Sequence, residues 1–235
     1  RDDVESRGLG DVYKRQALHR AGKKIILVNC SGSPIALEPE TKNCEAILQA
    51  WYPGQQGGTA VAEVLFGDYN PGGRLPVTFY RNMSQLPDFE DYNMTGRTYR
   101  YMTQQPLFPF GYGLSYTTFD YGKLSLDKEQ IKQGEPLKLA VSVTNSGQCD
   151  GEEVVQVYLK KQDDAEGPGK TLRAFKRVYI PAGKSVNVEF DLKDKELEWW
   201  DAQSNTMRVC AGKYDIMVGR SSQDQDLQRG SFVIE

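Results

Sequence analysis

Three carboxylates crowd into four consecutive positions of the segment Leu86-Pro87-Asp88-Phe89-Glu90-Asp91-Tyr92. Neighbouring carboxyls shift one another's pKa by like-charge repulsion, one way of splitting a pair into an acid and a base. The same cluster serves equally as solvated charge or as a set of acceptors that shape a loop. We assign no catalytic residue here and take Asp88, Glu90, Asp91, Tyr92 and Arg97 as candidates for substrate contact. Arginine enters because its planar fork can clamp a pair of hydroxyls or a carboxylate.

Other reactive groupings are weaker. A serine nucleophile in Ser31-Gly32-Ser33 needs a base, and the sole histidine, His19, falls at a helix end of surface character. Gly54, Gly57 and Gly58 lack both the G-x-G-x-x-G spacing and a Walker lysine, which argues against nucleotide binding. Cys30, Cys44, Cys149 and Cys210 form no C-x-x-C pair, so neither a metal nor any other cofactor is implied. Cys30 and Cys210 read as small buried hydrophobes, with disulfides left open. Arg74 reads as the anchor of its own glycine turn, Asp68 as the cap of the turn at 67–70, and Arg97 and Arg100 as ties to acidic partners. The sequons at Asn29, Asn82 and Asn93 read as coincidental.

These residues must be positioned by two stretches of different periodicity. Up to about residue 120 the pattern is α/β. Ala17 to Gly22 ends a helix, and Lys24 to Asn29 is a continuous apolar run suited to a strand buried on both faces. Glu45 to Trp51 has helical spacing, preceded by Pro39 and Thr41 as start signals. Ala60, Val61, Val64 and Leu65 mark a short buried helix between two glycine-rich turns, and Leu75 to Tyr80 is β-prone. A Pro-, Tyr- and Phe-rich connector follows over 81–119; its aromatics either stack on a ligand or wedge the two parts together. From about Tyr121 short alternating runs, among them 137–144, 154–159, 185–192, 207–209 and 214–218, indicate an antiparallel β-sandwich of about seven strands. Trp199 and Trp200 belong near its edge, one ring buried and the other half exposed.

Composition narrows the partners. The net charge of −3 gives no electrostatic case for nucleic acid, and no apolar run approaches a membrane span. Residues 1–16 carry dense charge without a signal-peptide core, and read as a non-native leader.

Trp51-Tyr52-Pro53-Gly54-Gln55-Gln56-Gly57-Gly58, Gly67-Asp68-Tyr69-Asn70-Pro71-Gly72-Gly73-Arg74-Leu75-Pro76-Val77, Gly96-Arg97-Thr98-Tyr99-Arg100-Tyr101 and Pro109-Phe110-Gly111-Tyr112-Gly113-Leu114-Ser115-Tyr116 recur here in a fixed order. With Gly151–Tyr158 and Gly212–Gly219, they resemble the family 3 glycoside hydrolases, the β-glucosidases and β-xylosidases, over roughly 17–235. The resemblance implies a truncated α/β sandwich domain over 17–120 and a fibronectin type III-like β-sandwich over 121–235. It implies retaining, exo-acting hydrolysis of terminal β-linked xylose or glucose, and the form of 86–100 looks most like the xylosidases. In that family the nucleophilic aspartate and the acid/base glutamate both precede the position of Ala17, so neither role transfers to this chain. The implied partners are a β-glycoside or oligosaccharide and the missing N-terminal domains of the same protein, in the periplasm or outside the cell. The chain alone is expected to be inactive and to express poorly, because a truncated sheet exposes apolar edge and face. The rival reading is a non-catalytic carbohydrate-binding or adhesion protein.

Overall fold

The computed structural model describes residues 12–235. The expected leader falls partly on residues 1–11, outside the described residues. Residues 12–20 form a helix, α1, which Gly22 terminates at φ 67, and Arg15 within it pairs with Glu40 at 2.9 Å.

The α/β region continues through β1 (Ile26–Asn29), α2 (Glu38–Asn43), β2 (Ala46–Gln49) and α3 (Gly57–Phe66). The strands β1 and β2 pair in parallel, Ile26 opposite Ala46 and Asn29 opposite Gln49. The helix expected over Glu45–Trp51 is therefore wrong: its start signals open α2, with Pro39 in the first turn, and Ala46-Ile47-Leu48 is a strand. A short apolar run cannot be assigned by periodicity alone, and this one is too short for a helix. The strand expected over Leu75–Tyr80 also fails, reduced to a single antiparallel bridge between Phe79 and Phe108. Backbone bonds join Leu75 to Gly111 and Tyr112, and Phe79 to Leu107 and Phe108, but Pro76 between them has no N–H to continue the ladder. The helix between the two glycine turns exists as α3, and Gly67 at φ 84 closes it. It is not buried, however: Phe66 is 82% exposed, as Ile26 on β1 is 54% exposed. The connector holds a 3₁₀ turn at Met83–Gln85 and one helical turn, α4 (Thr98–Tyr101).

The sandwich strands follow in order: β3 (Phe119–Tyr121), β4 (Ser125–Leu126), β5 (Gln130–Ile131), β6 (Leu137–Asn145), β7 (Gly151–Lys161), β8 (Thr171–Ile180), β9 (Ser185–Leu192), β10 (Glu198–Asp201), β11 (Thr206–Val209), β12 (Gly212–Gly219) and β13 (Leu227–Ile234). The turn α5 (Asp194–Leu197) lies between β9 and β10. One sheet runs β5-β13-β12-β7-β8, parallel only between β5 and β13; the other joins β3, β4 and β9 to β6. Alternate residues of both inner faces, among them Leu139, Val141, Val155, Val157, Leu159, Ile216, Val218 and Phe232, interlock in one buried cluster. Trp199 joins that cluster while Trp200, next along β10, is half exposed. The strands Thr171–Ile180 and Leu227–Ile234 go beyond the sequence pattern: Arg173, Lys176 and Arg177 interrupt the alternation of the first, and Arg229 and Gly230 that of the second.

Candidate functional site

Ligands of open parallel sheets sit outside the carboxyl ends of the strands. There Asn29 donates to Gln49 Oε1 at 2.6 Å and to Ser31 Oγ at 2.9 Å, which pins the two strand ends together. The Ser31 hydroxyl in turn donates to the Ser33 carbonyl, so it acts as a brace. The chain leaves β2 through Trp51, whose φ of 54 lies in the left-handed region. Thr98, at the head of α4, sits at φ 55, which for a β-branched residue costs of order 1–3 kcal/mol. Both strained residues flank the segment 78–80. The Trp51 ring meets Phe79 edge-on at 6.1 Å, the Thr98 N–H donates to the Tyr80 hydroxyl at 2.7 Å, and the Tyr99 N–H donates to Thr78 Oγ1 at 3.1 Å. Residues 78–80 thus hold the β2 exit and the connector turn in one rigid arrangement.

The carboxylate loop precedes that turn, and Arg97 organises it. Its guanidinium donates to three loop carbonyls, those of Asn93 at 3.0 Å, Asp88 at 3.3 Å and Asp91. Asp88 accepts the Glu90 N–H at 2.9 Å, and Asp91 accepts both the N–H and the side-chain amide of Asn93. Those bonds, the backbone one foremost, hold the Asp91 carboxyl below its ordinary value, the opposite of what a proton donor needs. The structure therefore gathers Asp88, Asp91 and Arg97 into a loop-shaping knot. Glu90 is exposed, while Phe89 and Tyr92 project at 92% and 89% exposure.

The remaining arginines correct their expected roles. Arg74 does bond the Gly73 carbonyl, but its main partner is Glu153 on β7, with Nη2 3.0 Å from each carboxylate oxygen. Both side chains are nearly enclosed, at 7% and 2% exposure. Burial pushes the Glu153 carboxyl up, and the Arg74 charge offsets only part of this. Among the described residues neither Arg97 nor Arg100 forms an ion pair: Arg100 reaches Thr171 Oγ1 on β8 at 3.2 Å, on the sandwich side. The turn after α3 is closed by backbone bonds from Gly67 to Val64 and Tyr69 to Glu63 rather than by Asp68. Cys30 is exposed, since the chain has already left β1 there; Cys210 is buried, and all four thiols are free.

Of the connector aromatics, Tyr99 and Phe110 wedge the two parts together, while Phe108 stacks on Tyr112 within the α/β part and Phe89 and Tyr92 face solvent. Tyr99 stacks on Phe110 at 4.3 Å and meets Tyr158 of β7 edge-on at 5.9 Å, while its hydroxyl accepts the Leu172 N–H at 3.1 Å. Sequence reasoning missed the polar half of this seam. Asn70 accepts from Ser115 and the Tyr116 N–H and donates to the Asp150 carbonyl. Gln156, buried on β7, donates to the carbonyls of Gly111 and Arg220 and accepts the Tyr158 hydroxyl. A Cβ on Gly111 would lie 2.0 Å from the Gln156 amide oxygen, so only glycine fits there. The signal was present in the alternation of β7, where Glu153 occupies an inward position among apolar residues.

Residues 14–116 match the glycosyl hydrolase family 3 C-terminal domain, and residues 153–222 match a fibronectin type III-like domain. The chain carries the C-terminal domain of glycosyl hydrolase family 3, followed by a fibronectin type III-like domain. It is 56% identical over 214 residues to a xylan 1,4-β-xylosidase of Xylanibacter ruminicola, covering 91% of this chain and 24% of that protein. A β-xylosidase of Formosa agariphila is 39% identical, with 94% of this chain and 31% of that protein covered. A periplasmic β-glucosidase of Salmonella typhimurium is 36% identical, with 92% and 30% covered. The fold superposes on a β-glucosidase of Listeria innocua solved with glucose, at TM-score 0.81 and 28% identity, over 94% of this chain and 32% of that one. The chain thus spans about a quarter to a third of the length of these relatives, and its architecture is the α/β domain of the family with the fibronectin type III-like sandwich behind it. Among the described residues no helix is long and apolar enough to cross a membrane.

Proposed function

We propose that the protein to which this chain belongs is a retaining, exo-acting β-glycosidase that removes terminal β-linked xylose or glucose from plant-type saccharides, in the periplasm or outside the cell. The chain, divided at about residue 120 into the α/β part (17–120) and the sandwich (121–235), supplies a wall and a brace rather than the catalytic pair. The observation that carries this reading is 56% identity to a xylosidase over 91% of the chain, a share that takes in both parts. The commitment of Asp88 and Asp91 to turn-closing bonds fits it too, since a retaining pair needs two free carboxyls about 5–5.5 Å apart. On this reading the loop 86–97 borders the sugar site, with Phe89 and Tyr92 offered to a sugar face and Arg97 keeping the loop in shape.

The gene extended upstream, assayed on aryl β-xyloside and aryl β-glucoside, tests the reaction. Hydrolysis is expected from the extended protein, faster on the xyloside, and none from the 235-residue chain. Saccharide binding without turnover of either substrate would make the protein a carbohydrate-binding module instead. Replacing Phe89 and Tyr92 by alanine in the extended enzyme is expected to raise KM more than it lowers kcat; unchanged KM would remove the loop from the site.

A further inference from the structure

Of the arginines named in ion pairs, each has a carboxylate: Arg15, Arg74, Arg81, Arg177, Arg208, Arg220 and Arg229. Arg100 and Arg173 make no such pair among the described residues, and they are neighbours. Arg100 bonds Thr171 Oγ1 and, through its carbonyl, accepts the Gly169 N–H at 2.7 Å; Arg173 stands two residues beyond Thr171 on the same strand. There β8 slips register against β7 between Val157 and Tyr158, so that Leu172 and Ala174 face consecutive residues and Arg173 is left over. This extra residue is turned out of the ladder, as a bulge does to re-aim a side chain.

Both guanidiniums are partly buried, and among the described residues neither Nε–H has a hydrogen-bond partner, a feature they share with the ion-paired Arg74. Arg173 lies over the Trp199 ring at 5.4 Å and gives one Nη2 bond, at 2.6 Å, to the Glu198 backbone carbonyl rather than to its carboxylate. Burial, and after it the Arg100 charge, holds the Arg173 pKa below its ordinary value, and the Glu198 charge offsets only part of this. Ordered water can satisfy a lone N–H, but it cannot neutralise two like charges side by side. Arg173 also lines a surface cavity of about 480 Å³ with Phe175, Lys176, Lys193, Asp191 and Glu196, so the bulge is reached from solvent.

We propose that Arg100 and Arg173 form a binding site for one compact oxyanion at the junction of the connector and the sandwich. Guanidinium forks match carboxylate and phosphate in the same geometry, so that chemistry is shared by a free inorganic anion and by the carboxylate of an acidic sugar. Bridging two elements from different parts of the chain, the anion ties α4 to β8. The inference does not depend on the reaction proposed above.

The test compares the 235-residue chain and its Arg173→Met and Arg100→Met variants in phosphate and in chloride of equal ionic strength. Wild type is expected to melt about 5 °C higher at saturating phosphate, and each variant to lose most of that shift. Phosphorus NMR of inorganic phosphate gives a readout independent of stability: broadening by wild type and a sharp line with Arg173→Met. Methionine keeps the apolar stem over Trp199, so folding is retained. Glucuronate and glucose separate the sources. A shift with glucuronate but not glucose assigns an acidic saccharide; a shift with phosphate alone assigns a free anion. Equal melting in phosphate and chloride with no line broadening, or a phosphate effect that both variants keep, overturns the site.

Discussion

The two parts of the chain are built to different standards of closure. In the sandwich, both sheets turn their apolar residues inward and the cluster around Val157, Leu159 and Tyr214 is sealed from water. In the α/β part, two parallel strands are accompanied by short helices, of which α3 turns Phe66 into solvent, and Ile26 of β1 lies more than half open. Parallel strands bury their apolar runs only when both faces are covered. The sandwich therefore holds its fold by itself, while the α/β part leans on the sandwich through a polar and aromatic seam. Arg74–Glu153, Asn70, Gln156 and the Tyr99–Phe110–Tyr158 stack are the parts of that seam.

The largest effect is expected where the seam is most buried. Glu153→Gln leaves the Arg74 guanidinium enclosed without a counter-charge, at a cost of about 3–5 kcal/mol. Urea unfolding should then separate, with the α/β part released before the sandwich. A single transition at the wild-type midpoint would mean that the ion pair does not join the two parts.

Core truncation sharpens the contrast from inside each part. Leu159→Ala opens a cavity in a sealed cluster and should cost about 2–5 kcal/mol in the sandwich transition. Phe66→Ser on α3 removes a ring that already faces water, so the melt should move by no more than about 0.5 kcal/mol while aggregation falls. If both changes destabilised alike, the α/β part would be closed by contacts the structure does not contain.

The same contrast governs what the sequence could say. The sandwich was legible because one buried face per strand writes a period of two into 137–144, 154–159 and 185–192, as the burial of Leu137, Leu139, Val141 and Val143 records. Where solvent and seam both touch a strand the pattern blurs, which hid Thr171–Ile180 with its bulge at Arg173. In the α/β part the run at Ala46-Ile47-Leu48 is too short for its helical spacing to decide anything, and it forms a strand with Gln49 opposite Asn29, not the helix that spacing predicts. The carboxylate cluster was visible as composition, but its use was not. Only the fold shows that Arg97 binds three loop carbonyls rather than an acid. Long-range partners such as Glu153 for Arg74, 79 residues apart, carry no local signal at all.

A smaller change probes the aromatic half of the seam. Tyr99→Phe keeps the stack on Phe110 but leaves the Leu172 N–H without its acceptor, at a cost of about 1 kcal/mol. Hydrogen exchange at Leu172 should quicken while neighbouring β8 amides hold. Exchange that quickened along the whole strand would make Tyr99 a support of β8 rather than a partner of one amide.

The most discriminating of the small effects concerns two adjacent glutamates that titrate in opposite directions. Glu153 faces inward, and burial raises its pKa. Between the ordinary glutamate value and the raised one the native chain holds a proton that the unfolded chain has lost, so this group's contribution to stability falls as pH rises. Glu152 faces outward to Arg177 and Tyr69. Burial works against its carboxylate, but the bonds from Arg177 and Tyr69 and the Arg177 charge outweigh it, and its pKa is lowered. Its contribution is present above the ordinary glutamate value and is lost as pH falls through the lowered one. The pair is half open to solvent on the arginine side, so Glu152→Gln should cost at most about 1 kcal/mol at neutral pH. That difference from wild type should shrink on acidification and also in high salt, which screens an exposed pair far more than the enclosed Arg74–Glu153 bridge. A Glu152→Gln penalty that grew on acidification would reverse the assignment of inner and outer partner along β7.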